Sequence, residues 1–189
     1  MKISAANITK NLVYIAVFVA LMIIFTLYVS VPFYPVPLTF QTVICVLAGL
    51  LLGAKRGTAA MLVYVLLGLI GLPVFAGGKG GFACVTSPTF GYILGFPIAA
   101  LTAGLIRGKS ENARFSRYIV AALSACAVCY VVGIPYFLLI WRFYLGNTNV
   151  WFAAVTYNLL YIPKDAVLCF IAAITAFKVT PIIDKNLAR

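Results

Sequence analysis

The chain has 189 residues, of which 65% are hydrophobic and 9% charged, with a mean hydropathy of +1.12. Soluble domains carry roughly a quarter charged residues, so this composition excludes a water-soluble globule and defines an integral membrane protein. The formal net charge of +11 invites a nucleic-acid reading, but the placement of the 14 basic residues defeats it. Lys2, Lys10, Lys55, Arg56, Arg107, Lys109, Arg114, Arg117, Lys178, Lys185 and Arg189 all sit at the ends of apolar segments. Charge in such positions sets membrane topology rather than gripping a polymer.

Six apolar spans are predicted, near 11–30, 39–54, 58–72, 88–106, 118–140 and 150–177, each serving as a membrane crossing of about 20 residues. The fold expected is a single all-α membrane domain over 1–189, a six-helix bundle whose irregular outer loops cap a substrate pocket. The first span is too long, and too closely joined to the next, for a cleaved signal peptide. With the N-terminus in the cytoplasm, the basic clusters and the C-terminal tail fall inside. Lys79 and Arg142 then lie in outer loops, and Lys164 lies within a span.

In the first span, Ala16 and Ala20 form a small-xxx-small face that admits close approach of a helix, either from the chain's own bundle or from another protein. The following loop, Pro32, Phe33, Tyr34, Pro35, Val36 and Pro37, is uncharged and stiffened by three prolines. It reads as a rigid turn or as a lid over an outward-facing site. The stretch Leu67–Phe96 contains Pro73, Gly77, Gly78, Lys79, Gly80, Gly81, Ser87, Pro88, Thr89 and Gly91, which interrupt helical pairing repeatedly. Irregular backbone near a bilayer is tolerated where protein covers it or where it lines a wet cavity. This stretch is therefore a pocket-forming segment or an ordinary exposed loop. Its GGKG is not a phosphate loop, because Gly80 stands where the hydroxyl residue is required and Pro73 where the first glycine belongs. The chain is not expected to hydrolyse nucleotides.

Catalytic and metal chemistry is poorly supplied. There is no histidine, and the acids are Glu111, Asp165 and Asp184, which leaves hardly a pair for general acid–base work and no ligand cluster for a metal. No enzyme activity, metal or resident cofactor is expected. Cys126 and Cys129 make a lone CxxC within an apolar span, read as small buried packing residues. The pair Lys164-Asp165 is different, because ionisable residues inside a span usually face a cavity and mark a functional site. Neighbours on a helix point about 100° apart and need not pair; the alternative role is an ion pair fixing helix register. Pro163 frees the carbonyl near Leu159, and Asn158 and Tyr161 add an amide and a phenol one turn earlier. With ring faces from Phe90, Tyr92, Tyr157 and Tyr161, these groups suit a vitamin-sized amphiphile bearing N–H donors and an acidic tail.

The segments PFYPVPLTFQT (Pro32–Thr42), GAKRGTAAMLVYVLLGLIGLPVFAGGKGG (Gly53–Gly81) and SPTFGYILGF (Ser87–Phe96) resemble the BioY family, the biotin-capture S components of energy-coupling-factor (ECF) transporters. The resemblance covers most of the chain. It implies six helices with both termini cytoplasmic, residence in the plasma membrane, and a high-affinity biotin site near the outer side under the loop after the first helix. It implies that Ala16 and Ala20 dock on a transmembrane coupling subunit joined to two ATPases. The expected ligand contacts are Asp165 and Asn158 on the ureido ring, Tyr92 and Tyr161 on the thiophane ring, and Lys164 or the Gly80–Gly81 backbone on the valerate carboxylate. Thr39, Gln41, Ser87 and Thr89 complete the expected set. Two departures stand out. Ser87-Pro88-Thr89-Phe90-Gly91-Tyr92 replaces a motif closer to GPTGGY, and the last helix keeps Asp165 of a P-G-D-x-x-K pattern but has Leu168 where its lysine belongs. Another vitamin such as thiamine or riboflavin, or a non-transporting scaffold, are the other readings of the same residues.

Overall fold

A computed structural model describes residues 5–30, 39–108 and 114–188, with the side chains of Ala5, Ala6, Tyr157, Leu160 and residues 184–188 left out. The expected lid, Pro32 to Pro37, lies outside the described residues. Five long helices follow in order: α1 (Ala5–Leu27), α2 (Gln41–Leu69), α3 (Phe90–Arg107), α4 (Phe115–Leu139) and α5 (Val150–Ala188). A 3₁₀ turn, Phe82–Thr86, precedes α3, and a π-helical turn, Ile140–Tyr144, continues α4. All five helices are long and apolar enough to cross a membrane.

The second and third expected spans both fall largely within α2, which doubles back on itself at Gly53. Gln41 hydrogen-bonds Tyr64 across the two arms, and Gly57 packs against the Ala48 carbonyl. The loop expected around Lys55-Arg56 is therefore absent, and those residues begin the returning arm. The reversal needs a single residue because Gly53 adopts φ 77°, ψ 173°, a conformation essentially closed to side chains. The first arm, 41–52, is about 18 Å long, well short of a hydrocarbon core of roughly 30 Å. The cavity described below opens beyond its start. At the other ends, α1 begins and α5 finishes well beyond the expected 11 and 177.

No heavy atom lies within 4 Å of a Cβ added at Gly53, so Gly53→Ala isolates the backbone term. The substitution is expected to destabilise the protein by about 1–3 kcal/mol. An unchanged melting temperature in detergent would contradict the one-residue reversal.

α3 is the central helix, packed against α2 on one side and α4 on the other, with α5 closing against α4 and α2. Small residues permit these contacts. A Cβ on Gly49 would stand 2.3 Å from the Ala100 carbonyl oxygen, and one on Gly104 would stand 2.1 Å from the Ala54 nitrogen. α1 is peripheral. Its Met22, buried with Phe18 and Val19, faces the bundle, and Thr26 reaches Tyr64. Ala16 and Ala20 are exposed on its other face beside Leu12, Val13 and Val17, so they do not pack on the chain's own helices.

The packing also sorts charge. Arg117 Nε donates to the Ile106 carbonyl, and Phe115 and Tyr118 pack on Phe177 near the far end of α5. Gly104 brings this end to the Gly53 reversal, so Lys55, Arg56, Arg107, Arg114, Arg117 and Lys178 collect at one end of the bundle. Lys79, Arg142 and Lys164 belong to the other.

Candidate functional site

The N-terminal ends of α2 and α3, the C-terminal part of α4, the middle of α5 and the Gly-rich α2–α3 connection enclose a cavity. Its space, counted out through the open mouth, is about 840 Å³. Asp165 lies at its wall, 5% exposed. A buried carboxylate is costly unless paired and hydrogen-bonded, and three helices meet that need. Tyr130 of α4 and Thr42 of α2 donate to Oδ2 at 2.8 and 3.1 Å. Oδ1 faces the Lys164 ammonium at 2.7 Å and takes no other donor among the described residues.

Lys164 and Asp165 do pair, although neighbours on a helix need not; the long lysine stem lets the ammonium swing back. The same ammonium donates to the Thr39 carbonyl at 2.6 Å and lies over the rings of Phe40 and Tyr161, 5.5 and 5.8 Å from their centroids. It is thereby fixed between the entry to α2 and the middle of α5. The backbone of α5 remains helical through Pro163.

Tyr92 and Asn158 form the next wall. The Tyr92 hydroxyl donates to Asn158 Oδ1 at 2.7 Å, and Asn158 Nδ2 donates to the Ala154 carbonyl at 2.7 Å, which orients the amide. The Tyr92 ring lies over Gly133, where a Cβ would be 2.3 Å from it, and meets Tyr130 edge-on at 5.8 Å. Phe75, Phe90 and Tyr136 make edge and tilted ring contacts in series, while the Tyr136 hydroxyl donates to the Val85 carbonyl and secures the 3₁₀ turn. Ser87 and Thr89 share a 2.9 Å hydroxyl contact and line the same cavity.

Asp165, Lys164, Asn158, Tyr161, Tyr92, Ser87, Thr89, Gln41 and Thr39 are thus all brought to one cavity. Gln41 arrives with its amide donating to Tyr64, whose hydroxyl in turn donates to the Val74 carbonyl. Gly80 and Gly81 are not among the lining residues. The Gly81 N–H donates to the Gly68 carbonyl at 2.7 Å, and a Cβ on Gly80 would stand 2.2 Å from the Leu72 carbonyl oxygen. These glycines serve close backbone packing of the connection. Thr42, Tyr130 and Lys79 line the cavity unanticipated. A signal existed for Tyr130, since a phenol amid the apolar run ACAVCYVVGI calls for a hydrogen-bond partner. Cys126 and Cys129 are buried free thiols, as expected of packing residues.

Fold and cavity together define a multi-pass membrane protein with a charge-bearing, aromatic-walled receptor for a small solute at one end of a helical bundle. The BioY family model matches residues 1–185. The chain belongs to the BioY family. It is 45% identical over 124 residues to a probable biotin transporter BioY of Pyrococcus horikoshii, covering 66% of this chain and 72% of that protein. It is 34% identical over 175 residues to the biotin transporter BioY of Rhizobium etli, covering 88% and 90%. Among solved structures it is similar to the S-component for biotin from an ECF-type ABC transporter. That match has a TM-score of 0.76 at 25% identity and covers 100% of this chain and 96% of the other.

Proposed function

We propose that this chain captures biotin as the membrane-embedded S component of an ECF-type transporter. The observation carrying this reading is Asp165, a buried carboxylate inside an aromatic cavity, with Oδ1 facing the Lys164 ammonium and taking no other donor among the described residues. A ureido ring offers two N–H donors and one carbonyl. Asp165 supplies the acceptor, Asn158 and its Tyr92 partner supply an amide and a phenol, and Tyr92 and Tyr161 present ring faces to the apolar thiophane. Binding, rather than bond-making, is what these groups do.

The whole chain acts as one integral membrane domain. The excess of lysine and arginine at the Gly53 end supports a cytoplasmic position for that end and both termini; on this reading the chain resides in the plasma membrane and the cavity opens outward. The exposed Ala16–Ala20 face admits a helix of the coupling subunit, and the two ATPases of that module supply the nucleotide chemistry this chain lacks.

The test is a biotin titration of detergent-purified, ligand-stripped protein, with thiamine and riboflavin as controls. Trp141 stacks on Phe137 at 5.3 Å, and Phe137 lines the cavity, which puts an indole one ring away from the cavity as a fluorescence reporter. Saturable quenching by biotin alone is expected; a response to another vitamin, or to none in fluorescence and calorimetry, would overturn the reading. Tyr130→Phe removes a hydrogen bond to Oδ2 and is expected to weaken biotin binding by about 10- to 150-fold, as for loss of a charge-assisted hydrogen bond. Unchanged affinity would show that Tyr130 does not prepare Asp165.

A further inference from the structure

We infer that Lys79, rather than Lys164, reads the acidic end of the ligand and sets the preference for a free carboxylate over a neutral terminus. The inference rests on the biotin reading above and concerns which cation completes it.

Lys164 is the obvious partner for a carboxylate, but its ammonium is already engaged. Asp165 Oδ1 lies at 2.7 Å, the Thr39 carbonyl at 2.6 Å, and two rings cover its flanks. The Lys164–Asp165 pair has no net charge, and an incoming carboxylate would have to compete with Asp165 for the same ammonium. Drawing Lys164 away would leave a buried carboxylate short of a cation, a costly exchange.

Lys79 has the opposite character. It lines the same cavity, from the connection between α2 and α3 rather than from within the helical layer. Its backbone is held, since Lys79 N–H donates to the Phe75 carbonyl at 3.2 Å and Phe75 N–H donates to the Lys79 carbonyl at 2.9 Å. Gly77 and Gly78, at φ 76° and 69°, form the turn that fixes this pairing. The side chain is exposed, and its ammonium has no hydrogen-bond or ion-pair partner among the described residues. The backbone is therefore placed while all three N–H donors remain available. Ser87 and Thr89 add hydroxyls to the lining, giving an acid terminus both a cation and neutral donors. A ligand with its N–H-bearing ring at Asp165 and its acid at Lys79 uses both kinds of charge without breaking the pair in the wall.

Biotin and its neutral carboxamide, titrated calorimetrically into wild type, Lys79→Met and Lys79→Arg, separate the possibilities. Lys79→Met is expected to weaken biotin by about 3- to 30-fold, the range between an exposed ion pair and a charge-assisted hydrogen bond. The carboxamide should bind wild type and Lys79→Met alike, which also reports that the variant is folded, and Lys79→Arg should keep most of the biotin affinity. Equal loss of both ligands, or no loss of biotin, in Lys79→Met would overturn the inference while leaving the functional reading intact. Wild-type protein that binds neither ligand would overturn the functional reading and this inference together.

Discussion

Asp165→Asn is expected to weaken biotin binding by about 2–5 kcal/mol, the range for truncating one partner of a buried hydrogen-bonded charge pair. In Kd this is roughly 30-fold to several thousandfold. Asparagine matches aspartate in shape, and its carbonyl oxygen can still accept from Tyr130 or Thr42, so packing is largely preserved. What disappears is the charge that holds the Lys164 ammonium at 2.7 Å and that, on the proposed biotin reading, accepts the ligand's N–H donors. The amide also brings a donor of its own, which opposes a ureido N–H. Calorimetry on the purified variant, with its melting temperature as a check on folding, measures the effect. Wild-type affinity in a folded Asp165→Asn protein would remove Asp165 from the ligand site.

The second large effect concerns the bundle itself. Gly104→Val should abolish recovery of monodisperse protein or lower its melting temperature sharply. A Cβ at this position would stand 2.1 Å from the Ala54 nitrogen, 2.4 Å from its Cα and 2.6 Å from the Gly53 carbonyl carbon. All three are backbone atoms at the reversal of α2, so no side chain can rotate to make room. Overpacking of a tight core commonly costs about 1–3 kcal/mol, and more when the backbone must shift. Size-exclusion profiles and thermal melts of the variant test this, and wild-type behaviour would mean that α3 does not abut the turn so closely.

The apolar helical segments were legible because hydropathy reports directly on the bilayer as a solvent. The reversal at Gly53 was hidden by Lys55-Arg56, which look like a polar loop; only the backbone angles of Gly53 reveal that none is needed. Lys164, Asp165, Asn158 and Tyr161 were legible for a similar reason, as polar groups that a membrane span carries only for a purpose. The contacts of Tyr130 and Thr42 with Asp165 were not, since they depend on three helices converging across sequence separations of 35 and 123 residues; the phenol of Tyr130 signalled only that some partner was needed. The Gly80–Gly81 pair illustrates the opposite error. Glycines next to a candidate pocket suggest backbone donors for a ligand, but here the Gly81 donor serves the Gly68 carbonyl and Gly80 makes room for Leu72.

The adjacency of Lys164 and Asp165 also bears on how α5 enters the membrane during synthesis. Each charge alone at the centre of an inserting helix costs roughly 2.5–3.5 kcal/mol. Neighbours in sequence can neutralise each other within α5 itself, whereas partners on α2 and α4, though synthesised earlier, must first pack around the incoming helix. The nascent segment can thus leave the insertion machinery as a neutral dipole, and Tyr130 and Thr42 engage the carboxylate only when α4 and α2 close around it. A lone Lys164→Leu change, apolar though it is, would remove that early neutralisation and leave an acid to cross the bilayer unaccompanied.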